Sequence, residues 1–520
     1  MRVISYNILL LLILMSYGVA ILSSSVSSEL PLKIMLKDAE EIAVTNSLVL
    51  KSLKDRREIF QKMSKEKWRN YLPRLSLGYF GLKNLNENQT DSRFNDIRLQ
   101  LNQLIYDGGE TALEIESIKL QEIINSQDWI ISRNKTLLES RKAYIENLMN
   151  KDKVFLFSEL LRKTLSQINE AKNEYEQGFV NSTTNFEAES KIRELELFLI
   201  KTEGNNEQSE ISLKKALNFP LATNLDLQES LLLDFILYPP DFDKNQNPVE
   251  VANRPELKKL KVSIENLKNR KELSENYWKP KLSLGGYYGK NVNGALPVEN
   301  EIYGFNINVT TQIGSTTNQT STNYGVQTDG TGIQRIPGFG PQFVGRGDNA
   351  YNSNTLNFFD DLSYSRKILE GKVSLSDALR NRKSLEIDLE AELFKSQSKV
   401  KENWQILRIS NSKFYLALEA WKIAIEKYNA GFLKKSEFYS AEYELIKSID
   451  ELTTSTGFYL TSVMDLGFSS GVDPSELKLY EYKKGSGNSI LANFFRNQLR
   501  SNKQSNEDSI QEDLAEELEE

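Results

Sequence analysis

Hydrophobic positions along the chain alternate between two periods, and the switches between them mark its elements. From Leu36 to about Tyr71 apolar residues recur at helical spacing among charged ones. The run stops at Leu72-Pro73, because proline disfavours helix in the residue before it. Arg74 to Phe80 then switches to period two, and after a polar, Asn-rich turn over 84–92, Ile97, Leu99 and Leu101 alternate with Arg98, Gln100 and Asn102. That dyad predicts a strand with one apolar and one wet face. In a soluble sheet the apolar face packs on a core, whereas in a membrane barrel it faces lipid and the other face lines water. The spacing leaves both open.

A different period follows. No Gly or Pro interrupts the 68 residues between Gly109 and Gly178, and apolar residues fall seven apart at Ile124, Ile131, Leu138 and Ile145, then at Val154, Leu161 and Ile168. Sevens predict helices packed at coiled-coil angles, and this one would be roughly 100 Å long at 1.5 Å per residue. A returning helix from Thr184 to about Ala216 ends at Leu217-Asn218-Phe219-Pro220, and an irregular linker with Pro239, Pro240 and Pro248 follows.

The programme then restarts. Arg254-Pro255-Glu256-Leu257 opens a helix ending at Trp278-Lys279-Pro280, Lys281-Leu282-Ser283-Leu284-Gly285 restates Arg74 to Gly78, and Tyr303, Phe305, Ile307 and Val309 alternate as a second strand. Two widely separated stretches share one pattern: Tyr175-Glu176-Gln177-Gly178-Phe179 and Tyr428-Asn429-Ala430-Gly431-Phe432, each with Ala-Glu beginning ten residues after the Gly (Ala188, Ala441). Each Gly predicts a left-handed helix end that lets the chain turn back, so the chain holds two helical hairpins and an internal two-fold repeat. The first repeat spans 30–220, the linker 221–250 and the second repeat 251–480. Pro73 to Pro280 is 207 positions and Gly178 to Gly431 is 253, so the second copy carries 46 extra residues. They fall in a Thr-, Asn-, Gly- and Ser-rich stretch over about 315–358, which predicts an inserted loop; a rival placement makes 357–368 the second strand.

Composition narrows the function classes. With mean hydropathy −0.47 and 26% charged residues over 520, the chain suits long, thin, solvated elements better than several compact cores. It has no Cys and no His, which removes thiol and imidazole catalysis and the zinc sites built from them. A net charge of −7 argues against nucleic acid as a partner, and no phosphate-binding Gly-x-x-x-x-Gly-Lys-Ser/Thr loop is present. No cofactor and no metal is expected. Residues 1–24, with Arg2 before the apolar run Ile8 to Met15 and small residues after it, predict a secretory signal peptide. Residues 481–520 form a polar tail ending in eight acids between Glu507 and Glu520, expected to be disordered. No later segment is apolar enough for a transmembrane helix, so a membrane location requires a closed β-barrel.

Pro73-Arg74-Leu75-Ser76-Leu77, Tyr106-Asp107-Gly108-Gly109, Arg254-Pro255-Glu256-Leu257 and the two Tyr-x-x-Gly tips, in this order and spacing, resemble the TolC-type outer-membrane efflux family over roughly residues 30–480. The resemblance implies a mixed α and β membrane protein. Four strands per chain would complete a trimeric, twelve-stranded outer-membrane β-barrel, continued by a long periplasmic α-helical barrel. It implies a homotrimer in outer-membrane lipid, working with a periplasmic adaptor (membrane fusion) protein and an inner-membrane pump. Gly178, Phe179, Gly431 and Phe432 become the adaptor-contact tips. The closed gate of the family maps onto Tyr428, Thr183 and Thr184, with Leu433 standing where the family carries an Arg; Glu437 maps onto the acidic aperture. The leading expectation is therefore a passive exit duct for efflux or type I secretion, not an enzyme. The alternative is a secreted periplasmic coiled-coil scaffold without a pore; a carboxylate-only hydrolase is disfavoured, since no paired acids fall in a pocket-forming context.

Overall fold

The computed structural model describes residues 31–83, 93–176, 182–241, 253–293, 298–326, 333–336, 340–343 and 349–485. In chain order, β1 (Leu32–Ile34), α1 (Leu36–Asn46) and α2 (Leu48–Trp68) lead into β2 (Arg74–Lys83) and β3 (Arg93–Tyr106), and then into α3 (Glu110–Glu176) and α4 (Ser182–Ala216). Three short elements, β4 (Leu225–Leu227), α5 (Leu231–Asp234) and β5 (Phe235–Leu237), precede α6 (Pro255–Glu275), β6 (Lys281–Asn293) and β7 (Val298–Ile313). Strands β8 (Thr316–Val326), β9 (Ile333–Ile336), β10 (Gly340–Phe343) and β11 (Asn349–Asn357) come next, then α7 (Tyr364–Asn429), α8 (Lys435–Ser470) and β12 (Tyr480–Tyr482).

The long helices follow the heptads. Helix α3 has 67 residues and α7 has 66, and Ile124 and Ile145 of the seven-residue series are buried. Helices α4, α3, α8 and α7 lie side by side in that order, while α2 and α6 pack on α3, and α6 also on α7. Midway along them sits a collar. Ile34, Tyr144, Ile145, Leu148, Leu213, Leu217, Leu231, Phe235, Leu460 and Met464 form one buried cluster there. Strand β1 pairs in parallel with β4, and β12 pairs antiparallel with β5. Arg141 of α3, nearly buried, spans the collar to Glu40 at 2.7 Å and Asp473 at 2.9 Å. The guanidinium is buried while its two carboxylate partners keep part of their exposure, Asp473 at 45%, so desolvation of the cation offsets much of the attraction.

Beyond one end of the helices lies an antiparallel sheet of order β11-β8-β7-β6-β3-β2. Four of its strands are those expected. The stretch 315–358 is not a loop: its described residues add β8 and β11 to this sheet and pair β9 with β10 in a separate two-stranded sheet, so among the described residues the larger sheet has six strands rather than four. The reason is local. Thr316, Thr317, Thr320 and Thr322 are β-branched and favour strand although they are polar, and Gly314 at φ +62° turns β7 straight into β8.

Three further expectations are adjusted. The helix over 36–71 breaks at Ser47, whose extended backbone ends α1 while its hydroxyl accepts the Leu50 N–H to start α2. The linker carries β4, α5 and β5 rather than irregular chain. The tail begins late: Tyr480–Tyr482 pairs with β5, and the Lys483 N–H donates to the Asp234 carbonyl at 2.8 Å. The expected signal peptide, the acidic end of the tail, Gly178 and Phe179 lie outside the described residues.

Candidate functional site

The sheet and helices meet through two acidic turns. Asp107 follows β3; its carboxylate accepts the Gly109 N–H at 2.9 Å and the Thr111 N–H at 2.7 Å, which starts α3. Gly108 and Gly109 sit at φ +74° and +89°, where a side chain is strained, which explains the Asp-Gly-Gly motif. Burial pulls the Asp107 carboxyl up, but the Thr111 and Gly109 hydrogen bonds outweigh it and hold the carboxyl below its usual range. Asp361 does the same before α7, accepting from the Ser363 N–H and hydroxyl and from Lys367. Those side-chain bonds, Ser363 first and then Lys367, keep it ionised far below the usual range.

Cross-strand register fixes the two faces of the sheet. Leu77, Leu99, Tyr288 and Tyr303 align in one row, and Leu75, Leu101, Gly286 and Phe305 in the next. These side chains are exposed, from 42–73% for Leu284, Leu77 and their neighbours, and among the described residues no element covers them. The opposite face carries Arg98, Gln100, Asn102, Ser283, Asn306 and Asn308. Among the described residues the apolar side of this sheet has no core to pack on. No helix among the described residues is long and apolar enough to cross a membrane.

Apolar side chains are also exposed at both edges of the helical layer. On α7 they fall in sevens, Ile387 and Phe394, then Ile409, Leu416 and Ile423. On the other edge, Leu197, Ile200 and Ile211 of α4 and Ile59 and Trp68 of α2 are exposed. Sevens on a bare helix face mark a packing surface for another helix.

The described tip joins α7 to α8. Gly431 at φ +76° places its N–H on the Tyr428 carbonyl and the Phe432 N–H on the Lys427 carbonyl, each at 2.9 Å. This left-handed closure satisfies the last carbonyls of α7 and throws Phe432 outward, 85% exposed. Beneath it, Ala424, Phe438 and Tyr439 form a small buried cluster against which Tyr428 and Leu433 pack. Leu433, standing where the family carries a cation, therefore contributes packing rather than charge. Glu437 is exposed and accepts the Lys434 N–H at 3.4 Å, at the positive end of α8. Thr183 and Thr184 lie in the first turn of α4. Sequence reasoning missed Phe438 and Tyr439; the available signal was an aromatic pair just past the tip, where the returning helix must face its partner.

No family model matches the sequence and no curated protein does. Among solved structures the chain is similar to the CmeC outer membrane channel of Campylobacter jejuni, at TM-score 0.66 and 14% identity over 85% of this chain and 86% of that one. It is similar to the open state of the MtrE outer membrane channel of Neisseria gonorrhoeae, at 0.64 and 12% over 84% and 89%. It also resembles the outer membrane protein VceC of Vibrio cholerae, at 0.62 and 11% over 84% and 96%. By these likenesses the chain has the fold of the TolC-like outer-membrane channels.

Proposed function

We propose that the chain is one protomer of a homotrimeric outer-membrane exit duct, with its sheet in a closed β-barrel and its helices in the periplasm. The observation that carries this reading is the bare apolar face of the sheet, Leu75, Leu77, Leu99, Leu101, Tyr288, Tyr303 and Phe305. Fully burying a Leu or Phe side chain is worth about 1.5–3 kcal/mol, and the part still exposed here gains a share of that; lipid is the environment that accepts it while the polar face lines a bore. An open sheet cannot stand in lipid with unpaired edges, so several copies must close it. The apolar stripes on α7, α4 and α2 supply the lateral contacts such a ring needs.

The duct is passive. Substrates delivered by an inner-membrane pump through a periplasmic adaptor pass down the helical tunnel, which opens when the tips spread. Phe432 and the matching Phe179 dock the adaptor, and three copies of Glu437 ring the aperture. The two similar halves of the chain are the product of duplication. A protein that is recovered as a heat-stable oligomer in detergent extracts of the outer membrane and conducts ions across planar bilayers is the expected result. A mature protein that stays monomeric and fully water-soluble would instead leave the scaffold reading.

A further inference from the structure

Edge strands decide how a ring closes, and here the edges are β2 and β11 rather than β2 and β7. Every neighbouring pair in the six-stranded sheet is antiparallel. With an even number of strands the first and last run in opposite directions, so a second copy's β2 laid beside β11 continues the alternation. The edges also match in length, 10 residues in β2 and 9 in β11.

Two other observations point the same way. Strand β11 runs into α7, one bare edge of the helical layer, and β2 is reached from α2 on the opposite edge. One rotation therefore brings both strand edges and both helix edges of adjacent copies together. In addition, Phe358, Phe359 and Leu362 follow β11 and are exposed, as are Trp68 and Leu72 before β2 and Trp278 before β6. These aromatic and apolar groups sit where the strands give way to helices, the position of an interfacial belt, and the β8–β11 hairpin contributes to it.

We propose that the hairpin β8–β11 is part of the barrel wall and that each β11 pairs with β2 of the next copy, closing an eighteen-stranded ring from three chains. Barrel diameter grows roughly linearly with strand number, so the outer bore is about 1.5-fold wider than a twelve-stranded one and passes correspondingly bulkier solutes at the exit. The rival arrangement is a twelve-stranded ring with the hairpin folded into the bore. The hairpin's outward row is polar at its middle, with Thr320, Thr322, Asn352 and Asn354, which would suit a wet interior. Against that, β8 holds an unbroken eleven-residue ladder to β7, from Ile313↔Thr316 to Tyr303↔Val326. That ladder must be lost before a neighbour's β2 can reach β7.

The absence of cysteine makes the seam directly testable. Leu75→Cys, Leu77→Cys and Tyr79→Cys on β2 are each combined with Asn352→Cys, Asn354→Cys or Leu356→Cys on β11, covering the register. The same three are combined with Ile307→Cys or Val309→Cys on β7. Oxidation in membranes is expected to give covalent trimers from β11 combinations and none from β7. Links through β7 alone, or through neither in a protein that light scattering in detergent shows to be trimeric, overturn the eighteen-stranded seam and leave the duct reading intact. A protein that is not trimeric defeats both, and the mass measurement distinguishes the two failures. As a second readout, deleting 316–357 is expected to lower the size of polymer admitted from the outer side by about 1.5-fold in radius; a larger admitted polymer would place the hairpin in the bore and overturn the proposal.

Discussion

The ring of Tyr428 lies on the ring of Phe438, with centroids 5.1 Å apart and planes inclined by 22°. The last turn of α7 and the first of α8 are thereby joined by an aromatic stack, with Leu433 packed beside it. Truncating a buried Phe costs about 3–5 kcal/mol, most of it local here. Phe438→Ala is expected to raise the basal conductance of the closed channel in planar bilayers. Tyr428→Phe keeps the stack and should behave as the parent. Equal leakage from both variants would show that the Tyr428 hydroxyl, not the ring, is the latch.

The Phe432 side chain is displayed by backbone geometry rather than packed, since the closure at Gly431 uses only its N–H. Phe432→Asp should therefore fold and trimerise normally while adaptor binding weakens by tenfold or more, the effect of losing an anchor worth at least 1.4 kcal/mol. Deleting Gly431 removes the left-handed residue itself and is expected to abolish export as well. Co-purification of the adaptor and an export assay read the two effects, and unchanged export in both variants sinks the docking role.

At the collar, Asp152 of α3 accepts the Ser230 hydroxyl at 2.9 Å and the Leu231 N–H at 2.7 Å. Burial pushes its carboxyl up to about 6 in spite of those bonds. An acid whose folded pKa lies above its unfolded value of 3.8 binds more protons when folded. Its stabilising contribution is present at low pH and falls as pH rises from about 4 to about 6. Relative to the parent, Asp152→Asn, which keeps an acceptor for both donors, should lose this fall. Melting temperatures of the two proteins across that window make the comparison; parallel curves would contradict it.

The sheet face offers a depth-dependent test. Leu99 and Tyr303 lie in one cross-strand row through β2, β3, β6 and β7. An Arg at the lipid midplane of a barrel costs about 2–4 kcal/mol and little near the interfaces. Leu99→Arg and Tyr303→Arg should sharply lower the yield of inserted trimer, whereas Ser283→Arg on the wet face should not. Equal yields across the three, measured as heat-modifiable oligomer in membrane fractions, would mean that this face does not meet lipid.

Much of this architecture was legible because its periods are long and clean. Sevens across Ile124 to Ile145 set the helix, the Leu99-Gln100-Leu101 alternation set the strand, and the Tyr-x-x-Gly pattern ending at Gly431 set the described turn. What escaped has a common cause: hydrophobic patterning registers burial and misses backbone preference. The Thr residues of β8 read as polar loop, although their branched Cβ favours extended chain. Ser47 interrupts a helix without disturbing the apolar spacing around it, since one extended residue changes direction and not composition. Strand β12 depends on Asp234 and β5, some 250 positions away, and has no local signature. The Tyr428–Phe438 stack is invisible until the hairpin is closed.

Glu437 separates charge from structure. Its carboxylate accepts the Lys434 N–H, so part of its value is as a cap on α8, and an alanine there would confound gating with helix fraying. Glu437→Gln retains an oxygen for that N–H and removes only the charge. Three carboxylates around a narrow aperture favour cations over anions, and three amides do not. The reversal potential in a potassium chloride gradient should move toward zero in Glu437→Gln, with the melting temperature unchanged. An unaltered reversal potential would place Glu437 away from the conduction path, on the outer surface of the tip.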